Sequence, residues 1–561
     1  MEEPTVSLAD VTFSYRGAGV PSLSSLSLDV AAGECVLLCG KSGCGKSTVL
    51  RLLNGMIPEF YDGEASGRVE VAGIDPASCP QYEIARSVGT VFQNPRTQFY
   101  TLNTTSEVAF GCENQGLKRA EIARRVGNAA EELGIESLMN RSIFQLSGGE
   151  KQRLAVASVY ASDPEVFLLD EPSANLDFPA IRELQRILSL LKAKGKTILV
   201  AEHRTWYLEG IVDRAVYLDG GKASGVFAMG ELASLTRSQR LETGIRPVKL
   251  EGFDLPRTGA PVEHAPMHEM HLDDLVFSYS RHTAPSLSVA DAQFGSGRVE
   301  AIVGDNGAGK STLASVVCGL AQERRGRAEI DGSVLKAKRR LPISYEVMQE
   351  VNHQLFCDSV EEEIILGASH PGAQALESVL DRMDLLDVRG RHPLTLSGGQ
   401  KQRCAIAAAM FCGKRVMAFD EPTSGLDYAH MAQTAGLLRE LAASGVFVLV
   451  VTHDYELALA ACDRVTEMEG GKAIAQYGLD AGGAARLREF FGPGIMFTPS
   501  PDTRRTARGS YRFRRPIFGG SFDRHALSQR LPSLPLVAAC PKRRRPARAI
   551  RRPAATCPWH P

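Results

Sequence analysis

The 561-residue chain lacks any apolar run close to the roughly 18 residues needed to span a bilayer. Its longest apolar stretches, Val166–Leu169 and Val446–Val451, are short and lead into Asp170 and His453, so they read as buried parallel strands. The opening residues Met1-Glu2-Glu3-Pro4 hold no basic region followed by an apolar run. No secretory signal is expected, and the chain is placed in the cytoplasm. No CxxC pair occurs among the 12 cysteines, which excludes the common zinc and dithiol spacings. Cys35, Cys39, Cys44 and Cys318 lie within apolar or phosphate-loop segments and read as small apolar residues. Cys44 stands apart, because a helix N-terminus beside it would lower its pKa. Net charge is almost absent too, at −1, but that figure averages two unlike parts. From Asp502 onward 15 Lys+Arg face 2 Asp+Glu, which leaves 49 basic and 63 acidic residues before it. So basic a segment, with Lys542-Arg543-Arg544-Arg545 and few apolar residues, cannot offset chain entropy, and disorder is expected over 491–561.

What the chain does contain, it contains twice, at an offset of roughly 250 to 265 residues. Val11-Thr12-Phe13-Ser14-Tyr15 returns as Leu275-Val276-Phe277-Ser278-Tyr279. Leu146-Ser147-Gly148-Gly149-Glu150-Lys151-Gln152-Arg153 returns as Leu396-Ser397-Gly398-Gly399-Gln400-Lys401-Gln402-Arg403. Leu169-Asp170-Glu171-Pro172 matches Phe419-Asp420-Glu421-Pro422, and Glu202-His203 matches Thr452-His453. Markers recurring in one order describe one domain written twice. The expected boundaries are 1–247 and 269–490, joined by a linker over 248–268 that holds Pro256, Gly259, Pro261 and Pro266.

The chemistry begins with GxxxxGK[ST]. Gly40, Gly43, Gly45, Lys46, Ser47 and Thr48 form one copy, and Gly304, Gly307, Gly309, Lys310, Ser311 and Thr312 the other. Each follows a buried strand and opens a helix, so backbone N–H groups can curl around phosphates at a helix N-terminus. One chance match in a chain this long has a probability of about a few per cent. Two, each in strand–loop–helix context, exclude chance. The lysines would bridge the β- and γ-phosphates of ATP, and Ser47 and Ser311 would ligate Mg²⁺. Each acid-ended strand brings a first carboxylate (Asp170, Asp420) suited to Mg²⁺. The second (Glu171, Glu421) can take a proton from attacking water.

Leu-Ser-Gly-Gly-Gln/Glu followed by Lys-Gln-Arg resembles the signature of the ATP-binding-cassette family, over roughly residues 5 to 490. The resemblance implies an α/β fold of two tandem P-loop NTPase nucleotide-binding domains, each a RecA-like core with a helical signature subdomain. It implies that Ser147, Gly148 and Gly149, like Ser397, Gly398 and Gly399, reach the γ-phosphate held by the opposite domain. It also assigns Gln93 and Gln349 to sensing Mg²⁺ and the transport partner, and His203 and His453 to the γ-phosphate. Asp177 and Asp427 would couple the sites, while Tyr15 and Tyr279 would stack on adenine. An intramolecular, head-to-tail pseudo-dimer with two ATP molecules follows, Lys46 pairing with Ser397 and Lys310 with Ser147. Both sites keep the residues for hydrolysis, and the unlike contexts Glu202-His203-Arg204 and Thr452-His453-Asp454 allow unequal rates.

Val91-Phe92-Gln93-Asn94-Pro95-Arg96-Thr97-Gln98-Phe99 and Leu53-Asn54-Gly55-Met56-Ile57-Pro58-Glu59-Phe60-Tyr61 are similar to fused ATPases of energy-coupling factor (ECF) importers. That likeness implies a transmembrane coupling protein and a small substrate-binding membrane protein as partners, with the chain peripheral on the cytoplasmic face. The cargo would be a vitamin, a vitamin precursor or a transition-metal ion. A conventional solute importer, or a non-transport protein acting on ribosomes or DNA, are the alternatives. The latter would want a long charged helical linker or zinc-binding cysteine pairs, and nucleic acid is not an expected partner.

Overall fold

A computed structural model describes residues 3–250, 266–280, 283–368 and 372–491 of the protein. The basic stretch expected to be disordered lies outside the described residues from Gly492 onward. Each half is built on a six-stranded sheet. In the first half the order is Val88–Val91, Val166–Asp170, Thr197–Ala201, Cys35–Cys39, Arg214–Asp219 and Lys222–Phe227. The first five run parallel, and the last strand closes the edge antiparallel. The second half repeats this order, from Ser344–Val347 to Lys472–Gly478. Strands such as Cys35–Cys39 and Val166–Leu169 are buried along their whole length, which is why they read as continuous apolar runs rather than alternating ones. A smaller antiparallel sheet flanks each core, with Val6–Tyr15 central in the first half and Glu269–Phe277 central in the second.

Parallel register is what assembles the site. Leu38 pairs with Ala201, and Asp170 also pairs with Ala201. The segments that follow these strands therefore leave the sheet at one edge. They are the phosphate loop, Glu171 and the Glu202-His203 turn. The same holds in the second half, where Ile302 and Asp420 both pair with Val451. Functional groups gather at carboxyl ends of strands in such open sheets.

The halves share one hydrophobic core. Phe178 stacks on Trp206 in the first half at 4.8 Å between ring centroids and meets Phe491 of the second half at the same distance. Phe491 in turn lies against Tyr455. From the other side the helix Arg237–Thr243 ends at Gly244, whose carbonyl accepts a hydrogen bond from the Tyr428 N–H (2.9 Å). Val248 and Leu250, expected at the start of the linker, are buried in the shared core, while 251–265 of the expected linker lie outside the described residues. Among the described residues no helix is long and apolar enough to cross a membrane.

Candidate functional site

Both phosphate loops take the conformation their glycines require. Gly40 and Gly304 have φ of 143° and 157°, and a Cβ there would sit 2.2 Å from the Leu218 carbonyl oxygen or 2.4 Å from that of Met468. Gly45 and Gly309 stand at positive φ as N-caps of the helices Lys46–Leu53 and Lys310–Cys318. These caps carry no side-chain acceptor, so the first helical N–H groups are left for a ligand. Lys46 is buried, its Nζ donating to the carbonyls of Gly40 (3.2 Å) and Lys41 (3.1 Å). Lys310 repeats this with Gly304 (2.8 Å) and Asp305 (2.9 Å). The Ser47 hydroxyl donates to Asp170 Oδ1 at 2.9 Å, and Ser311 bonds Asp420 in the same way. A hydroxyl and a carboxylate already side by side at the helix start fit Mg²⁺, and the amide cradle fits phosphate.

Glu171 and Glu421 follow directly, each at positive φ (44° and 50°). Burial, helped by the neighbouring Asp170 or Asp420, pushes each carboxyl up to about 8. Gln93 Nε2 donates to Glu171 Oε2 at 2.7 Å, and His203 Nε2 lies 3.7 Å from Oε1. In the second half the His453 N–H donates to Glu421 Oε1 (2.8 Å), and Gln349 lines the same cleft. Both histidines are held well below their usual pKa, chiefly by burial and then by the nearby lysine, so they are neutral at pH 7. Here the halves differ. His203 Nε2 meets Lys46 Nζ at 3.2 Å, whereas His453 Nε2 meets Asn306 Oδ1 at 3.1 Å.

The raised carboxylates make a testable link to stability. An acid whose folded pKa lies above its unfolded value contributes nothing unfavourable at low pH and costs stability progressively as pH rises from the ordinary 4.5 to the folded value of about 8. The nucleotide-free protein should therefore lose stability between about pH 4.5 and about pH 8, with no further loss from this source above that. Glu171→Gln should flatten that loss by about 4–5 kcal/mol. Melting curves of parent and variant that run parallel across this range would contradict the burial of that charge.

Contacts across the halves complete the picture. The backbone N–H of Ser42 donates to Asp427 Oδ2 (2.7 Å), and that of Asn306 donates to Asp177 Oδ2 (2.9 Å). Asp177 and Asp427 thus cap their own helices and at the same time reach the opposite phosphate loop. Ser147 and Ser397 each open a helix with a capping box, leaving Gly148-Gly149 and Gly398-Gly399 at its start. A Cβ on Gly399 would lie 3.7 Å from the Ser42 hydroxyl, so the second turn faces the first loop. A Cβ on Gly425 would lie 3.1 Å from Glu171 Oε2. The surroundings of each phosphate loop thus include residues from both halves of the chain.

A profile of the family described as ABC transporter matches residues 23–174 and 287–424, which bracket both phosphate loops and both acid-ended strands. The chain belongs to the ABC transporter family. A Treponema denticola protein carrying the ABC transporter ATP-binding name is 42% identical over 479 residues, covering 84% of this chain and 96% of its own. One from Methanosarcina acetivorans with the same description is 33% identical, with coverage of 84% and 85%. Among solved structures, the archaeal ribosome recycling factor aABCE1 in complex with stalk protein aP1 superposes with a TM-score of 0.59. It is 23% identical and covers 89% of this chain and 96% of that one, a likeness of fold. This ABC protein is an ATP-hydrolysing protein that uses ATP with Mg²⁺.

Several expectations meet a more particular geometry in this ABC protein. Tyr279 is 75% exposed on a cleft of about 440 Å³ with Lys310, Ser311 and Gln349, open to an adenine. Tyr15 is half-buried, edge-on to Phe13 and Tyr61, though its hydroxyl meets Thr48 as that of Tyr279 meets Thr312. The Cys44 thiol is pushed up, not down, because burial outweighs Lys46 and the helix terminus. Missed altogether was Arg246, which lies between the loops that carry His203 and His453 and matches no local motif. Also missed was the ion pair of Arg96 with Glu350 (2.7 Å), which joins the two glutamine loops at the surface.

Proposed function

We propose that this chain is the ATP-hydrolysing subunit that powers import of a small nutrient through a separate membrane complex of ECF type. The observation that carries the reading is a matched pair of exposed apolar patches beside the glutamine loops. After Gln93, Asn94 caps the short turn Pro95–Thr97, its Oδ1 accepting from the Arg96 N–H (3.0 Å). The chain then presents Tyr100 and Leu102, and the Leu102 carbonyl accepts from the Ile143 N–H, setting Phe144 alongside. Phe144 is 77% exposed. The second half repeats the arrangement with Phe356, 66% exposed, and Leu394. Large apolar side chains exposed in register on both halves favour an apolar protein partner over solvent or nucleic acid. The relatives' transporter names support the same choice.

In this reading Lys46 and Lys310 hold the phosphates, and Ser47, Asp170 and Gln93, with Ser311, Asp420 and Gln349, hold Mg²⁺. Mg²⁺, when bound, neutralises charge on the phosphate oxygens. Glu171 and Glu421 each take the proton of attacking water. Neutral His203 and His453 steady the carboxylate and the phosphate end of the site. Tyr15 and Tyr279 flank the base, and Ser147 to Gly149 and Ser397 to Gly399 close over the opposite nucleotide. Membrane partners bound at the patches would feel each closure.

Phe144→Ser with Leu394→Ser should abolish co-purification with the membrane subunits of the transporter, while basal ATP hydrolysis stays within about twofold of the parent. Undiminished co-purification would count against the patches as the coupling surface.

A further inference from the structure

One side chain of the first half is buried inside the second. Arg246 is 1% exposed and follows the helix Arg237–Thr243. Its Nε donates to the Leu426 carbonyl (3.0 Å) and its Nη2 to the Thr423 carbonyl (3.3 Å). Its Nη1 donates to Asp454 Oδ2 (2.6 Å) and lies 3.6 Å from Glu456. Burial works against this charge, but Asp454 and Glu456 outweigh it and hold the guanidinium protonated. Thr423 and Leu426 stand in the loop from Glu421 to Asp427, the loop that closes over the first site through Ser42 and Glu171. Asp454 follows His453, which serves the second site. The Arg246 and Pro247 carbonyls both accept from the Thr205 hydroxyl (3.1 Å each), two residues after His203. A three-pronged guanidinium thus ties together loops that belong to different nucleotide sites, and its backbone is tied to a third.

We infer that Arg246 is a positioning residue that couples the two hydrolytic sites, making turnover at one depend on the state of the other. The planar fork suits this task, since it bonds two carbonyls and a carboxylate in fixed mutual geometry. A shift of the His453 turn must then either drag the Glu421–Asp427 loop with it or break buried charge-assisted bonds. Packed interiors favour the first, because they switch between discrete arrangements rather than deform smoothly. The Thr423 hydroxyl, donating to Asp454 Oδ2 at 2.8 Å, closes the link within the second half. The inference rests on hydrolysis at both sites with Glu171 and Glu421 as the bases.

A mutant cycle on the full chain separates this role from simple structural support. With Arg246 in place, Glu171→Gln should lower total ATP hydrolysis about tenfold or more, because the second site stalls with the first. In an Arg246→Lys background the same substitution should cost only about twofold, since the remaining site turns over alone. Loss of structure alone would scale both members of each pair equally and leave the two ratios the same. Equal fractional losses in the two backgrounds, or a mere halving by Glu171→Gln in the parent, would overturn the inference. Asp454→Asn, which removes the charge partner with little change of shape, should give the same altered ratio and serves if Arg246→Lys fails to fold. No effect of Glu171→Gln at all would overturn the base assignment, and the coupling built on it.

Discussion

Glu171→Gln combined with Glu421→Gln should reduce steady-state phosphate release by about 10²- to 10⁴-fold, the usual worth of a positioned general base. The substitution is close to isosteric, so the Gln93 and His453 contacts keep their places while the proton acceptor is lost. Burial that lifts each carboxyl to about 8 raises its proton affinity to match a base working near neutral pH. Nucleotide binding should survive, because the lysines and the loop amides are untouched. Unhydrolysed ATP should then accumulate on the protein, with the two halves drawn together. Filter binding of labelled ATP and phosphate release from the same sample provide the check. Undiminished release would remove the two glutamates from the chemistry and leave the neutral histidines as the nearest candidates.

The second large effect concerns binding. Lys46→Ala should weaken ATP at one site by about 100-fold, corresponding to the loss of one or two charge-assisted hydrogen bonds at about 1.5–3 kcal/mol each. Lys310→Ala should do the same at the other. Each Nζ now rests on two loop carbonyls, so its donors are already aimed at the cradle rather than recruited from solvent. Lys46 is buried, and alanine would leave a void as well as remove charge. Lys46→Met refills that space, and an equal loss of affinity would assign the effect to the ammonium. Calorimetry should count two sites in the parent and one tight site in each single variant. Two tight sites retained in Lys46→Met would dismiss the lysine as a phosphate ligand.

Much of the fold could be read from residues because each marker is local. A buried strand, its glycine turn and the helix behind it lie within about twenty consecutive positions, and parallel pairing then brings the separate strand ends to one edge. Asp177 and Asp427 were reached only through the family resemblance, and their capping of the helices Phe178–Ala193 and Tyr428–Ala443 appears only in the fold. Other residues answer to neighbours that no local pattern announces. Cys44 stands beside a helix terminus, yet its thiol responds to the surrounding apolar atoms. Tyr15 and Tyr279 occupy matching positions, but among the described residues the turn Met56–Glu59 of the first half, which brings Tyr61 against Tyr15, has no counterpart in the second. Arg51 lies 4.4 Å above the Tyr61 ring and fixes that cover. Arg246 is the extreme case, because its partners lie about 180 to 210 positions away and no pattern around it announces them. A buried arginine between repeats reads as an ordinary surface charge until its acidic partners are seen.

The shared core of Phe178, Trp206, Tyr455 and Phe491 has a consequence for how such a machine is assembled. Two separate subunits would have to find each other in solution, and their pairing would weaken on dilution. Here the mates are permanently leashed on one polypeptide, so encounter is a unimolecular event whatever the abundance of the protein. With identical copies ruled out by the leash, each surface is free to diverge toward its one fixed mate. Arg204 beside His203 and Asp454 beside His453 are one place where the two halves differ.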